Sequence, residues 1–275
     1  MKQLSIKTLL LTSAVMAGLL SACSKDPQDP SIPTPAPQQP NPLPENALIE
    51  KIKWSENDHY TITYNEEHMP VKVVNQWQFV EGDPTKIRTI EYMFDYDAQG
   101  LLRQVVQSGG WTLKYFYQNK LIDKVLEYYP GGELANQTEY IYDGNRIVQE
   151  NYIVFASTGE QESYFRRFLK YDAKGNLIKE ETMERQDNMV FVLAHAKEYS
   201  QFDQHVNPTQ WLLRFPYLPQ VRWQFNNPGK EVVSVRFFDP SVYHYVHEYN
   251  DQGLPVSRTE IKPQGTLKAS FEYHQ

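Results

Sequence analysis

Apolar and polar side chains alternate along most of this sequence, in short runs that end at an aromatic residue. In one run Trp111, Leu113 and Tyr115 occupy every second position, with Thr112 and Lys114 between them. Successive side chains of a strand point to opposite faces, so a period of two predicts strands with one buried face and one solvated face. Helical periodicity is absent from the sequence. The pattern therefore predicts an all-β fold, arranged as an antiparallel meander.

The runs are joined by a short polar motif that predicts a tight turn. Its clearest copy is segment 168–178, which contains Asp172 and Gly175, and segments 94–102 and 247–254 are close copies. An Asp or Asn side chain can bond the backbone two residues on, and Gly tolerates positive φ. Both features favour a type I turn followed by a left-handed residue. The pair Asp143-Gly144 predicts a shorter, two-residue turn.

An aromatic residue ends the first strand of each copy, and these anchors recur about every 26 positions. They are Tyr64, Tyr96, Tyr117, Tyr142, Tyr171, Phe202, Phe225, Tyr249 and, in a final half-copy, Tyr273. One predicted strand contains Val221 and Trp223 and ends at Phe225. The copies predict about eight hairpins, or about sixteen or seventeen strands. An open sheet of that length would leave two edges and tend to curl, so we expect a curved sheet that is closed or nearly closed into a barrel-like shape.

The repeated Tyr-Asp-x-x-Gly-x-Leu unit resembles the YD repeats of the RHS family. Direct matches are Tyr96-Asp97, Tyr142-Asp143 and Tyr171-Asp172, and variants are Tyr249-Asn250 and Phe202-Asp203. The chain resembles still more the short, lipid-anchored Bacteroidetes lipoproteins of unknown function that are built from such hairpins, over roughly Trp54 to Tyr273. The resemblance implies a long curved meander or barrel-like sheet and supplies no catalytic residues. It does not imply the toxin-enclosing RHS shell, because the hairpins are too few and no toxin domain follows.

Residues 1–22 are predicted to be a lipoprotein signal peptide. Lys2 and Lys7 give a basic start, and the apolar stretch from Thr8 to Leu20 that follows is too short for a comfortable membrane span. Its end, Leu20-Ser21-Ala22-Cys23, resembles a bacterial lipobox, which implies that Cys23 becomes a lipid-carrying N-terminus. An ordinary secretory signal with a coincidental cysteine is the alternative. Cys23 is the only cysteine of the chain, which excludes internal disulfides and cysteine chemistry in the folded part.

Residues 23–44 are predicted to be the lipidated cysteine and a proline-rich tether. Eight of the eighteen positions from Pro27 to Pro44 are proline, which favours extended polyproline II of about 55 Å. An SH3-type ligand is the alternative. The sequence Ser24-Lys25-Asp26 resembles the export signals of Bacteroidetes surface lipoproteins. We therefore expect attachment to the outer membrane through the lipid anchor, with surface exposure as a further hypothesis.

Residues 45–275 are predicted to form a single β-repeat domain, because no second linker divides them. Removing residues 1–22 takes away two lysines and no acids, so the formal net charge changes from −7 to −9. An acidic domain without a basic stripe argues against a nucleic-acid partner. A transmembrane barrel would show the same alternation. It would not need a lipid anchor and tether, which favours a barrel outside the bilayer.

The folded part shows no pattern typical of catalysis, and we expect no enzymatic activity, no cofactor and no metal site. His244 and His247 are three positions apart, so a strand would direct them to opposite faces rather than to one ion. The paired acids Glu66-Glu67 and Glu180-Glu181 are interpreted as solvated charge. A glycosidase would need two carboxylates opposed across a cleft, which the sequence does not show.

Segment 210–220 interrupts the repeat. It is rich in apolar and aromatic residues, and Pro216 and Pro219 make it a poor central strand. One interpretation is a plug packed over one end of the sheet. The other is a recognition loop in which Trp211, Phe215 and Tyr217 stack on a ligand.

Together these features favour an outer-membrane or surface lipoprotein whose non-catalytic domain binds a glycan, a protein or another envelope component. The alternative is a structural or assembly scaffold of the cell envelope. An envelope hydrolase is a third and weaker hypothesis.

Overall fold

The computed structural model describes residues 47–274, except 81, 82, 84, 157 and 188. The predicted signal peptide, Cys23 and the tether lie outside these residues. The described residues form sixteen strands: β1 Ile49–Lys53, β2 His59–Tyr64, β3 Pro70–Gln78, β4 Ile87–Tyr96, β5 Leu102–Gln107, β6 Thr112–Gln118, β7 Leu121–Tyr128, β8 Leu134–Asp143, β9 Arg146–Phe155, β10 Gln161–Tyr171, β11 Leu177–Arg185, β12 Phe191–Ser200, β13 Lys230–Val235, β14 Ser241–Tyr249, β15 Pro255–Lys262 and β16 Gly265–Tyr273. None of the described residues forms a helix long and apolar enough to cross a membrane.

Each strand pairs antiparallel with the next one along the chain, and the sheet closes into a barrel. Closure occurs where β1 pairs with β16 on one side and β2 on the other, with Ile52 opposite Phe271 and opposite Tyr60. The prediction of an antiparallel meander that is closed or nearly closed is confirmed, and the barrel is fully closed. Closure leaves no strand edge with unpaired backbone groups.

The Asp/Asn turns adopt the predicted geometry. The Asp97 carboxylate accepts hydrogen bonds from the backbone N–H groups of Gln99 and Leu101 at 2.8 and 3.0 Å. Gly100 follows with φ +75°, and the register shifts beside the turn, as expected of a bulge. Asp172 and Asn250 make the same pairs of bonds. We call the end of the barrel that carries turns 65–69, 97–101, 172–176 and 250–254 the Asp-turn end.

Two local predictions are wrong. No strand forms at Val221–Phe225, because residues 201–229 leave the wall of the barrel between β12 and β13. Trp223 and Phe225 bond the turn at Asn176 and Leu177 instead of a neighbouring strand. The short turn is shifted by one residue, since Asp143 still pairs with Arg146 and the loop residues are 144 and 145. Gly144 supplies the positive φ, +60°.

The inner face of the wall is apolar at the Asp-turn end. Buried side chains that form this part of the core are Ile52, Ile62, Val73, Phe94, Leu102, Val105, Tyr115, Ile122, Tyr140, Ile147, Leu169, Leu177 and Phe271. Beyond the bulges beside the turns, inward and outward residues alternate along the strands, which confirms the period-two interpretation there, whereas each bulge shifts the phase by one residue, as between Leu102 and Val105.

The outer face carries charged side chains that pair across neighbouring strands. Lys72 lies 2.9 Å from Glu91, and Lys268 lies 3.0 Å from Glu248. Arg103 pairs with Asp95 in the same way. Such pairs are ordinary on a surface in water, where each stabilises the fold only slightly.

Candidate binding site inside the barrel

Residues 201–229, which we call the interior segment, enter the barrel from the Asp-turn end and return. The two limbs run side by side, since the Asp203 N–H donates to the Asn227 carbonyl at 3.1 Å and the Asn207 N–H donates to the Phe225 carbonyl at 3.0 Å. The segment thus forms an irregular hairpin whose tip lies among the inward side chains of the wall.

Asn176, in the turn between β10 and β11, holds one limb in place. Its buried amide oxygen accepts hydrogen bonds from the backbone N–H groups of Phe225 and Asn226, both at 2.9 Å. Its amide nitrogen donates to Asp172 and Asn226 at 3.2 Å. The equivalent position in two other copies is leucine, Leu101 and Leu254. This turn therefore carries a side chain specialised for the interior segment.

The tip of the interior segment packs on the aromatic wall. The Tyr217 ring lies 5.0 Å from that of Tyr92 and 5.9 Å from that of Phe94, measured between centroids. The Tyr115 hydroxyl donates to the Tyr217 carbonyl at 3.0 Å. Trp211 meets Phe94 edge to face at 6.3 Å. These contacts are those expected of a plug, but the segment lies within the barrel and not over one end of the sheet.

The three residues predicted to stack on a ligand differ in accessibility. Trp211 and Tyr217 are buried, with 7% and 4% of their surfaces exposed, whereas Phe215 is 48% exposed. Ligand binding by these residues stays a prediction, and Phe215 is the one whose ring is available for it.

Two adjoining cavities lie beside Phe215. The first has a volume of about 430 Å³ and the second about 350 Å³. Phe215, Arg167 and His195 line both. Amide and hydroxyl side chains of the interior segment line the first cavity: Asn207, Thr209, Gln210, Gln224 and Asn227. Volumes of this size suit a small organic ligand.

A buried charge network lies beside both cavities. Arg214, near the tip of the interior segment, donates to Glu180 at 2.7 Å and lies 3.8 Å from Glu150. Arg167 donates to Glu150 at 2.5 Å. The Tyr199 hydroxyl donates to Glu180 at 2.8 Å. Three wall strands, β9, β10 and β11, are thereby tied to the segment inside them.

Glu180 remains charged in this network. Burial by itself raises its pKa, but the guanidinium groups of Arg214 and Arg167 outweigh burial, so the pKa lies below its usual value. His195, beside Arg167 and Lys197, has a lowered pKa because burial and these two cations disfavour its charged form. Burial likewise lowers the pKa of His247 to about 4, with a further contribution from Arg258.

The interpretation of Glu180 as solvated charge is wrong. It is buried and points inward, whereas Glu181 points outward and lies 3.0 Å from Lys179. Neighbouring residues of a strand face opposite sides, so one of the two had to point inward. Strict alternation from the inward Leu177 would have selected Glu181, but the register shifts beside the turn, where Tyr171 pairs with Leu177 and Lys170 with Lys179, and this bulge turns Glu180 inward. Glu66 and Glu67 are exposed, as predicted.

The structure separates His244 and His247 as the sequence predicted. His244 is exposed on the outer face, whereas His247 lines the first cavity. Among the described residues no group of three or more His, Cys, Asp or Glu side chains could hold a metal ion.

Comparisons with known proteins identify the fold alone. No protein-family model matches the chain, and no curated protein matches it significantly. One similar crystal structure is a porin-like protein from Bacteroides vulgatus ATCC 8482, with a TM-score of 0.60 and 15% identity, covering 82% of this chain and 98% of that one. Another is a porin-like protein from Bacteroides uniformis ATCC 8492, with a TM-score of 0.56 and 10% identity, covering 83% and 98%. The chain shares a closed barrel architecture with both.

Proposed function

We propose that this protein is a non-catalytic binding protein of the cell envelope that holds a short glycan inside its barrel. The observation that carries the proposal is the position of Phe215, half-exposed between two interior cavities that are lined by amide, hydroxyl and charged groups. An aromatic ring beside amide side chains suits a sugar, which offers an apolar face and many hydroxyl groups.

The envelope location rests on two supports. The sequence from Met1 to Cys23 has the features of a lipoprotein signal, and the similar structures are described as porin-like proteins of Bacteroides. We place the protein on the outer membrane, attached by a lipid on Cys23 and by the tether 23–44. Labelling with radioactive palmitate, lost in Cys23→Ser, would test the anchor. Protease treatment of intact cells would test surface exposure, and a protein left uncut would overturn it.

The barrel is proposed to stand in water beside the membrane. A membrane-spanning barrel needs a continuous apolar band on its outer surface, about 25 Å tall. The outward ion pairs Lys72–Glu91 and Lys179–Glu181, and the outward residues Lys114 and Lys124, interrupt any such band.

A binding rather than catalytic role is supported by the state of the interior acids. A glycosidase needs one protonated and one ionised carboxyl group. Glu150 and Glu180 are instead both held in ion pairs with Arg167 and Arg214.

Calorimetric titration of the purified protein with a panel of oligosaccharides tests the proposal. We expect saturable binding that weakens about tenfold or more in Phe215→Ala. The matched control is Phe168→Ala, which removes a ring of similar exposure, 41%, from the outer wall and should bind as the native chain does. Absence of binding across the panel, or equal weakening in both variants, would overturn the proposal.

A scaffold role is favoured by a different observation. At the end of the barrel opposite the Asp turns, the loop between β13 and β14 exposes Phe237 and Phe238, which are 87% and 75% accessible. Exposed neighbouring aromatic residues are typical of protein contacts. A protein that co-purifies with the native chain and with Phe168→Ser, but not with Phe237→Ser/Phe238→Ser, would support this second function.

A further inference from the structure

The first interior cavity is lined by more cations than carboxylates. The cations are Arg167, Lys197, Arg214 and Arg258, and the carboxylates are Glu180 and Glu231. Three of the four cations have a carboxylate partner: Arg167 and Arg214 share Glu150 and Glu180, and Lys197 lies 3.3 Å from Glu231. The excess is notable in a chain whose overall charge is negative.

Arg258 is the cation left over. It lies in β15 opposite His247, and its guanidinium carbon is 5.4 Å from the centroid of the Tyr245 ring. Within the part of the chain that the structure describes, Arg258 has no ion pair. Tyr245 donates its hydroxyl hydrogen to Glu231, so this carboxylate is already used by Tyr245 and Lys197. His247 is neutral at physiological pH and does not compensate the charge of Arg258.

Around the cavity there are also buried hydrogen-bond donors that lack an acceptor within the described part of the chain. Three buried N–H groups, Nε of Arg167, Nη2 of Arg214 and Nε1 of Trp223, have no acceptor among the described residues. All three side chains line the cavity. These N–H groups have almost no accessible surface, so they contribute to a positive potential around the cavity and make no direct bond to a ligand, and that potential favours an anionic group beside Arg258.

We propose that the first cavity recognises an acidic sugar, with the carboxylate of a uronic acid paired to Arg258. This inference rests on the proposed function and names the ligand class for the same site. Arg258 supplies a planar pair of donors for the carboxylate, Phe215 supplies the apolar surface for the sugar ring, and Gln210 and Gln224 lie where they can bond its hydroxyl groups.

The test is calorimetric titration of the purified protein with matched pairs of sugars: glucuronic acid against glucose, galacturonic acid against galactose, and the corresponding di- and trisaccharides. We expect the acidic member of a pair to bind at least tenfold more tightly, with an affinity that falls as salt rises. Arg258→Gln should remove that preference, so that the acidic member of each pair binds no more tightly than its neutral partner. Arg103→Gln, on the outer wall beside Asp95, is the matched control and should leave both affinities unchanged.

The outcomes distinguish the hypothesis of an acidic ligand from the hypothesis of an interior glycan site. Equal binding of acidic and neutral sugars, unaffected by Arg258→Gln, would overturn the acidic ligand and leave the interior glycan site standing. No binding of either class would overturn both. An acidic preference that persists in Arg258→Gln, with Lys197→Met removing it, would overturn the role of Arg258. Thermal unfolding of each variant, expected to match the native protein within a few degrees, establishes that affinity changes do not reflect misfolding.

Discussion

At the scale of single residues, the repeated tyrosines have a function beyond filling the core. The hydroxyl of Tyr96 donates to the Pro70 carbonyl at 2.8 Å. The same bond to the wall of the preceding hairpin recurs at Tyr64, Tyr117, Tyr142 and Tyr273. Each ring thus packs inside while its hydroxyl satisfies a carbonyl at the register shift beside a turn. Phenylalanine would fill the space and lose the bond.

Tyr96→Phe should lower the free energy of unfolding by about 1 kcal/mol, because the buried Pro70 carbonyl loses its donor. Urea denaturation followed by tryptophan emission measures the change. Tyr128→Phe is the control, since the Tyr128 ring stacks with Lys114 at 5.0 Å and its hydroxyl makes no hydrogen bond within the described ranges. Equal losses in the two variants would contradict the role given to the hydroxyl of Tyr96.

His247 predicts a dependence of stability on pH. Its pKa falls from 6.5 to about 4 on folding, chiefly because burial and Arg258 disfavour the charged ring, although Asp203 opposes them. Between these values the unfolded chain binds more protons, so the contribution of His247 to stability is present above about pH 6.5 and is lost as pH falls toward 4.

We expect His247→Gln to show a shallower loss of stability than the native protein between pH 6.5 and 4. Urea midpoints measured across that range test this prediction. His244→Gln, which changes an exposed ring on the same strand, should follow the native curve. A His247→Gln curve parallel to the native one would show that the ring titrates normally in the folded state.

At the scale of elements, specific side-chain bonds hold the interior segment against the wall of the barrel. Asn176 satisfies two of its backbone N–H groups, and Arg214 joins it to Glu180 in β11. Gly175 permits this approach, because a Cβ atom there would lie 2.7 Å from the Phe225 ring. The turn also places Gly175 at φ +90°, where a side chain is strained.

Asn176→Leu restores the residue found in the sister turns and should nevertheless destabilise the protein by about 2–4 kcal/mol, since two buried N–H groups lose their acceptor. Asn145→Leu, in an exposed turn at the same end, should change stability by less than about 0.5 kcal/mol. Chemical denaturation measures both. A neutral Asn176→Leu would mean that the interior segment is held mainly by its apolar tip.

At the scale of the whole molecule, strand number and the interior segment are linked. Sixteen strands enclose a lumen that side chains from the wall alone do not fill, and barrels of this size often contain a water-filled channel. Here the interior segment occupies part of the lumen, and polar cavities remain between it and the wall. The barrel therefore contains both a packed core and cavities that could hold a ligand, which is the arrangement that the proposed binding function requires.

Closure also brings the two ends of the described chain together. The His274 N–H donates to the Leu48 carbonyl at 2.8 Å. A circular permutant that joins residue 275 to residue 47 through a short Gly/Ser linker, and begins at Asn145, should fold with a melting temperature close to the native one. A second permutant, opened between Pro216 and Tyr217, would bury new charged ends and should fail to fold cooperatively. Differential scanning calorimetry distinguishes them, and failure of the first would contradict closure through β1 and β16.

The local structure of this protein can be predicted from its sequence, because strand alternation and turn chemistry are encoded within a few residues. The period of two and the Asp-x-x-Gly motif specify the hairpins around Asp97 and Asp172, and about eight copies imply a sheet too long to remain open. Even so, the alternation of Val221, Trp223 and Phe225 was misread as a strand. Such a pattern indicates which side chains are buried, but it does not show whether a neighbouring strand pairs with the segment.

The contents of the barrel could not be predicted from the sequence, because they depend on contacts between distant segments. Glu150 and Arg167 are opposite each other on neighbouring strands, but Arg214 reaches them and Glu180 only because the closed wall surrounds the interior segment. The burial of Trp211 and Tyr217, the exposure of Phe215 and the unpaired charge of Arg258 follow from the same convergence. Such contacts depend on the register and closure of the entire sheet, which no short stretch of sequence contains.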